Sequence, residues 1–335
     1  MGKFSFHDME SVCGRISQDY RIFAPVRKVN KGRFSDTDLI TYDYVKSFAE
    51  IEFFEKSYYS AKEILFPVRQ SLFETRKGKF IEVEKNFPDT IVFSRPCDIH
   101  AIGITDSHFL RGDFKDTYYE RRRQKLKFFL IECAVPFESC FCVSLGTNRT
   151  EDYAGFMRRA EDGFEVKVKD ADLREYFAGG MDLDVEPRFV EKDSNPISLP
   201  EEIDTSIFKN EIWQEYSRRC TGCGRCNSVC PTCACFTLQD VLPEGEEDAG
   251  ARKRIWSSCQ VKKFASLAGN HDFRIPQGDR MRYKVLHKIR DFRKKAGVNM
   301  CVGCGRCDNA CPDYISMFKC IEKINAVIRE KGKDG

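Results

Sequence analysis

The chain has 335 residues, 41% hydrophobic and 32% charged, the make-up of a folded globular protein long enough for about two domains. Its 55 basic side chains nearly balance 52 acidic ones, so no bulk field draws it to nucleic acid or to a membrane surface. No apolar run approaches the roughly 20 residues that span a bilayer, which leaves the 17 cysteines as the dominant compositional signal.

The opening segment MGKFSFHDMESVCGRI places acidic residues where an export signal needs an apolar core. A cytoplasmic chain is therefore expected. Cysteines are rarely disulfides in that reducing compartment, so this many of them ask for metal, and the Asn148-Arg149-Thr150 sequon has no meaning there. Cys13 reads as an ordinary thiol. Asp43–Ser57 (DYVKSFAEIEFFEKS) has a helical look. TIVFSRPC (Thr90–Cys97), KLKFFLIECAV (Lys125–Val135) and FEVKVKD (Phe164–Asp170) are rich in β-branched and aromatic residues and read as strands.

Four cysteines fall in this part: Cys97, Cys133, Cys140 and Cys142. The first two lie near the ends of candidate strands, where neighbouring strands would deliver both to one edge, and the other two follow a short proline-bearing turn. Four thiols so placed make a complete ligand set for a cluster; buried structural thiols are the alternative. His100 and His108 flank Cys97, as lone histidines with no partner motif.

A polar, proline-bearing stretch, Glu186–Asp204, reads as a linker. Beyond it FKNEIWQEYSRR, MRYKVLHKIRDFRKK and YISMFKCIEKINAVIREK read as helices. An α+β domain over residues 1–200 and an all-α domain over residues 201–335 are expected. Basic clusters at Arg121–Arg123 and along Arg280–Lys295 read as solvated helix faces or, more sharply, as docking surfaces for an acidic partner.

The second domain carries an internal repeat, CTGCGRCNSVCP (Cys220–Pro231) and CVGCGRCDNACP (Cys301–Pro312). Each copy is C-x2-C-x2-C-x3-C-P, the bacterial ferredoxin run. Three thiolates on a tight loop can occupy three corners of one cube, while glycines let the backbone approach it closely. The fourth cysteine starts a departing segment and, in two-cluster ferredoxins, ligates the other cluster. Carried over, one 4Fe–4S cluster takes Cys220, Cys223, Cys226 and Cys311, and the other takes Cys301, Cys304, Cys307 and Cys230. The competing metal is zinc, which also uses C-x2-C pairs but needs only two of them.

About seventy residues, read as largely helical, separate the two motifs. Compact bacterial ferredoxins set them closer. The spacing looks like the α-helical ferredoxin arrangement of multi-subunit oxidoreductases, which suits a docked relay better than a free carrier. Cys233 and Cys235 follow the first motif as C-x-C, and Cys259 follows Trp256. These three are candidates for extra ligands, with Cys320 as a fourth, or for lining the cluster environment. There is no G-x-G-x-x-G after a strand, no P-loop and no H-E-x-x-H, so no flavin, nicotinamide or catalytic metal fingerprint appears.

The runs RCTGCGRCNSVCPTCACF, RKRIWSSC, RMRYKVLHKIRDF and MCVGCGRCDNACPDYI resemble the 4Fe–4S dicluster subunit of anaerobic sulfite reductases. So do RIFAPVRKVNKGRFSDTDLITY, FSRPCDIHAI and FLIECAVPFESCFCVSLGTN in the first domain. The resemblance extends more loosely to the β subunits of cytosolic nickel–iron sulfhydrogenases. It implies a non-catalytic subunit relaying electrons from a flavin subunit that oxidises NAD(P)H to a sirohaem subunit that reduces sulfite to sulfide. It also implies a third 4Fe–4S cluster on Cys97, Cys133, Cys140 and Cys142, with no flavin, nicotinamide or sirohaem held in this chain. The sulfhydrogenase role is the alternative, and a zinc or redox-sensing regulator is the alternative of another class.

Overall fold

A computed structural model describes residues 2–83, 86–242 and 249–331. In chain order its strands are β1 (Gly2–Ser5), β2 (Arg21–Lys28), β3 (Leu39–Val45), β4 (Arg69–Arg76), β5 (Lys79–Ile81), β6 (Thr90–Ser94), β7 (Leu126–Ile131), β8 (Gly155–Ala160), β9 (Gly163–Val168), β10 (Met181–Asp182), β11 (Phe236–Val241), β12 (Ala249–Trp256), β13 (Ser266–Leu267) and β14 (His271–Asp272). Its helices are α1 (Phe6–Asp19), α2 (Pro96–Phe109), α3 (Thr117–Arg123), α4 (Ala171–Arg174), α5 (Gln214–Arg219), α6 (Arg225–Ser228), α7 (Gln277–Leu286), α8 (Phe292–Ala296), α9 (Arg306–Ala310) and α10 (Met317–Lys331). The chain divides into two units. The first holds residues 1–65, 86–138 and 146–194, and the second holds residues 66–85, 139–145 and 195–335.

The first unit is built on an eight-stranded sheet in the order β10-β1-β9-β8-β7-β6-β2-β3. Strands β2, β6, β7 and β8 run parallel, with α2 and α3 connecting β6 to β7. Every residue of β6 is buried, the signature of a parallel strand covered on both faces. On α1, Met9, Val12, Cys13 and Ile16 fall on one stripe and enter a core with Phe93, Phe129 and Phe164. Ser5 caps that helix in a reciprocal box with Asp8.

The helix expected over Asp43–Ser57 is absent. Its first residues complete β3, paired residue for residue with β2, and one short turn at Phe48–Glu50 follows. Phe48, Ile51 and Phe53 are all buried, at intervals no single helix face could satisfy. Pairing overrode local propensity here.

The second unit is helical around both motifs, as the fold class anticipates. The stripe Met317, Phe318, Ile321 and Ile324 of α10 joins Trp213, Tyr216, Met281, Val285 and Ile289 in one core. Each such aliphatic side chain contributes about 1.5–3 kcal/mol when fully buried. The segment between the motifs departs from expectation: β11 to β14 occupy its first half, and helix begins only at Gln277. β11 and β12 join β4 and β5 in a four-stranded antiparallel sheet, in the order β11-β12-β4-β5. Its β4–β5 turn uses Lys77 and Gly78, both at positive φ, as a two-residue hairpin requires. Glu186–Asp204 carries no regular element, and the last of the chain's five crossings between the units falls inside it. Among the described residues no helix is long and apolar enough to cross a membrane.

Candidate iron–sulfur centres

Both motifs fold alike. Cys220 closes α5, Gly222 and Gly224 adopt φ of +71° and +77°, and Gly224 opens α6. In the second copy Gly303 and Gly305 adopt +65° and +67°, and Gly305 opens α9. These left-handed values resist any side chain. Close approach resists one as well. A Cβ on Gly222 would lie 2.0 Å from Nε2 of Gln277, and one on Gly303 2.6 Å from the backbone of Phe141.

Helices α6 and α9 pack together, and the two motifs are laced crosswise. Asp313, just past the second motif, accepts from the N–H and the hydroxyl of Thr221 in the first, both at 3.0 Å. Arg219 donates to the carbonyls of Asp313 and Tyr314. Asp308 accepts from Ser316 Oγ at 2.6 Å and from Met317 N at 2.8 Å, which ties the second motif to the start of α10.

This lacing brings Cys220, Cys223, Cys226 and Cys311 around one cavity, three thiols of one motif and the fourth of the other. Gly224, Gln260, Met281 and Lys284 complete much of its wall. The other four thiols also lie near one another: Cys301 has Cys230 and Cys304 as electrostatic neighbours, and Cys307 has Cys230 and Cys301. Among the described residues, no three His, Cys, Asp or Glu side chains close around a single-ion centre.

Burial raises Cys220, Cys226 and Cys307 above the usual thiol range and pushes Cys301 up to about 12. Thiols so placed surrender their protons to a metal rather than to water. Two buried ammonium groups stand among them. Lys284 and Lys288 are each 4% exposed. Lys288 donates to Cys230 Sγ at 3.3 Å and to Thr232 Oγ1 at 2.9 Å, while Lys284 lines the first cavity and hydrogen-bonds Cys226. Neither forms an ion pair with a carboxylate among the described residues. A buried cation needs an anion beside it. Four soft sulfur donors, glycine-walled loops and these two cations together fit an anionic, thiolate-ligated cubane.

Cys233 lies against Cys230, and Cys235 against Cys259. Asn227 Nδ2 points at Cys235 (3.6 Å) and Cys259 (3.2 Å), and Gln260 Nε2 reaches Cys259 at 3.5 Å. Of that pair Cys259 carries the thiolate character, because the Cys235 thiol and both amides donate to it. Cys320 instead donates to Tyr216 OH at 3.2 Å within the helical core, and Cys13 to the Lys46 carbonyl at 3.2 Å in the first unit.

The remaining candidates fall two in each unit. Cys97, near the start of α2, and Cys133 follow the C-terminal ends of the adjacent parallel strands β6 and β7. Arg95 is buried beside them and donates to the carbonyls of Phe53, Glu55 and Glu132, fixing the loop that carries Cys133. Cys140 and Cys142 belong to the second unit. Their segment is tied to the second motif by Phe141 N to Gly303 O at 2.9 Å and Cys140 Sγ to Cys304 O at 3.6 Å.

Sequence reasoning missed Lys284, Lys288, Asn227 and Gln260. Arg280, Lys284 and Lys288 fall in the basic run that reads as a solvated or docking face, yet all three are buried. Their signal was available: they recur every four residues beside the apolar stripe Met281, Val285 and Ile289.

Comparison with known proteins supplies the family. A 4Fe–4S dicluster domain model matches residues 219–315. The β subunit of sulfhydrogenase 2 from Pyrococcus furiosus is 30% identical over 330 residues, covering 92% of this chain and 94% of that protein. No solved structure matches. With both motifs matched by the dicluster model and the likeness running through both units, the chain belongs to the family of sulfhydrogenase β subunits, iron–sulfur electron-relay proteins.

Proposed function

We propose that this chain is the electron-relay subunit of a sulfhydrogenase-type complex, standing between a flavin-bearing NAD(P)H partner and a nickel–iron partner that handles hydrogen or polysulfide. The observation carrying this reading is the reach of the match to the Pyrococcus furiosus β subunit, which continues through the first unit instead of stopping at the ferredoxin motifs. It supports the sulfhydrogenase role better than the sulfite-reductase role favoured by sequence pattern. The latter stays as the second reading because RIFAPVRKVNKGRFSDTDLITY, FSRPCDIHAI and FLIECAVPFESCFCVSLGTN follow the dicluster subunit of sulfite reductases in order.

When bound, a 4Fe–4S cluster takes up and releases single electrons. Cys220, Cys223, Cys226 and Cys311 would hold one cluster, and Cys301, Cys304, Cys307 and Cys230 the other. The Thr221–Asp313 lacing keeps the two ligand sets in fixed register, and Ile315 N–H donates to Cys311 Sγ at 3.3 Å. On sequence pattern, Cys97, Cys133, Cys140 and Cys142 are assigned to a third cluster.

Anoxic co-purification with identification of the partner chains tests the relay role. A nickel–iron large subunit is expected. A sirohaem protein in its place would transfer the assignment to sulfite reduction, and a colourless, partnerless chain would point to a zinc or regulatory protein. Iron content tests the cluster count: about twelve irons per chain are expected, falling to about eight in Cys97→Ser with the signals of the two ferredoxin-type clusters intact. An unchanged count in Cys97→Ser removes the third cluster.

A further inference from the structure

Lys284 and Lys288 lie four residues apart on the helix that leads into the second motif, and both ammonium groups are buried. Their neighbours differ. Lys288 meets Cys230 and Thr232 directly and has Cys233 and Cys301 nearby, so of the two ligand sets it lies against the second. Lys284 hydrogen-bonds Cys226 of the first set, and Cys307 of the second is also among its closest charged neighbours. It therefore stands between the two sets. Arg280, one turn earlier, is held by the Arg274 and Gln260 carbonyls and by Asp272, so its charge is engaged elsewhere.

Placing an ammonium out of water without a carboxylate is unfavourable, and a solvent-facing lysine would avoid that cost. Their burial among sulfur ligands therefore asks what they stabilise. Adding an electron to a thiolate-ligated cubane makes an anionic group more so, and a fixed positive charge nearby favours that reduced state.

We propose that Lys284 and Lys288 are fixed counter-charges that raise the reduction potentials of the two ferredoxin-type clusters, Lys288 acting chiefly on the Cys301/Cys304/Cys307/Cys230 cluster and Lys284 on both. The inference rests on the cubane reading of the two ligand sets. It makes the lysines positioning residues that act through the ligands, and it sets how easily an electron rests on each site.

The test uses the full chain purified anoxically, with iron assay and a redox titration followed by paramagnetic resonance. In Lys288→Met one cluster signal should need a lower potential, its reduced-to-oxidised ratio at fixed potential falling about tenfold, which is about 59 mV for a one-electron couple. In Lys284→Met both signals should shift down, and Lys→Arg at either site should restore most of the potential. Full iron with unshifted signals in both Met variants overturns the proposal. If the Met variants lose iron, Lys→Gln keeps a hydrogen-bond donor without charge. Downshifted signals in Gln, or iron kept by Arg and lost by Gln, support the charge role; loss of iron in Arg as well as Gln overturns it in favour of a purely steric one. A wild-type chain without cubane signals would instead sink the reading beneath it.

Discussion

Single glycines decide whether the second motif can close. At Gly305 the backbone sits at φ +67°, and a Cβ there would lie 2.2 Å from the carbonyl oxygen of Ser139. The left-handed conformation alone costs a side chain about 1–2 kcal/mol, and the clash is with backbone, which cannot swing aside. Gly305→Ala should therefore destabilise the second unit by at least about 2 kcal/mol. It should also cost the iron that Cys301, Cys304, Cys307 and Cys230 would hold. Gly297→Ala makes the matched control, because Gly297 has a comparable φ of +78° with nothing within 4 Å of its Cβ position. Iron content and urea midpoints of the two variants check this. Equal iron loss in both would mean that backbone strain, and not the Ser139 contact, closes the loop.

At the scale of elements, what the sequence displayed depended on whether structure was written locally. The repeat was legible because thiol and glycine chemistry is fixed within twelve residues, and β6, β7 and β9 were legible because buried strands carry β-branched and aromatic runs. β11 was not, since its residues are exposed or only half-buried and its apolar alternation through Phe236 and Leu238 stops at Asp240; its partner β12 pairs in turn with β4, far back in the chain. β3 was hidden differently: its last residues open the helical-looking stretch from Asp43, although it pairs with its sequence neighbour β2. The lysine helix is the most instructive case. Its composition reads as basic surface, but a single π-turn at His287–Asp291 follows α7 and carries Lys288. That turn aims the Lys288 side chain at Cys230, and its carbonyl accepts from Met300 N at 2.8 Å, one residue before the second motif. Such insertions in a helix recur at functional sites, and residue type alone gives no sign of them.

For the whole molecule, the two units should answer differently to the removal of iron. The first unit's core is aromatic and aliphatic, built from Phe4, Phe93, Phe129, Phe164 and the α1 stripe, and Cys13 enters it only as a small apolar side chain. The second unit's core has Cys220, Cys301, Cys307 and Cys311 packed at its margin, with two buried ammonium groups beside them. Without iron, burial disfavours charge on Cys226, Cys301 and Cys307, so Lys284 and Lys288 are left with less negative charge to offset their burial. Losing such a partner typically costs several kcal/mol, which is a large share of a domain's stability. Stripping iron with a chelator under anoxia should thus lower the amide-exchange protection of α5, α7 and α10 by about a hundredfold or more, equivalent to about 2.7 kcal/mol. Strands β1 and β9, at the far side of the sheet from Cys97 and Cys133, should exchange as before. Equal loss in both units would show that the metal supports one cooperative fold, and unchanged protection in the helices would show that their apolar core alone suffices.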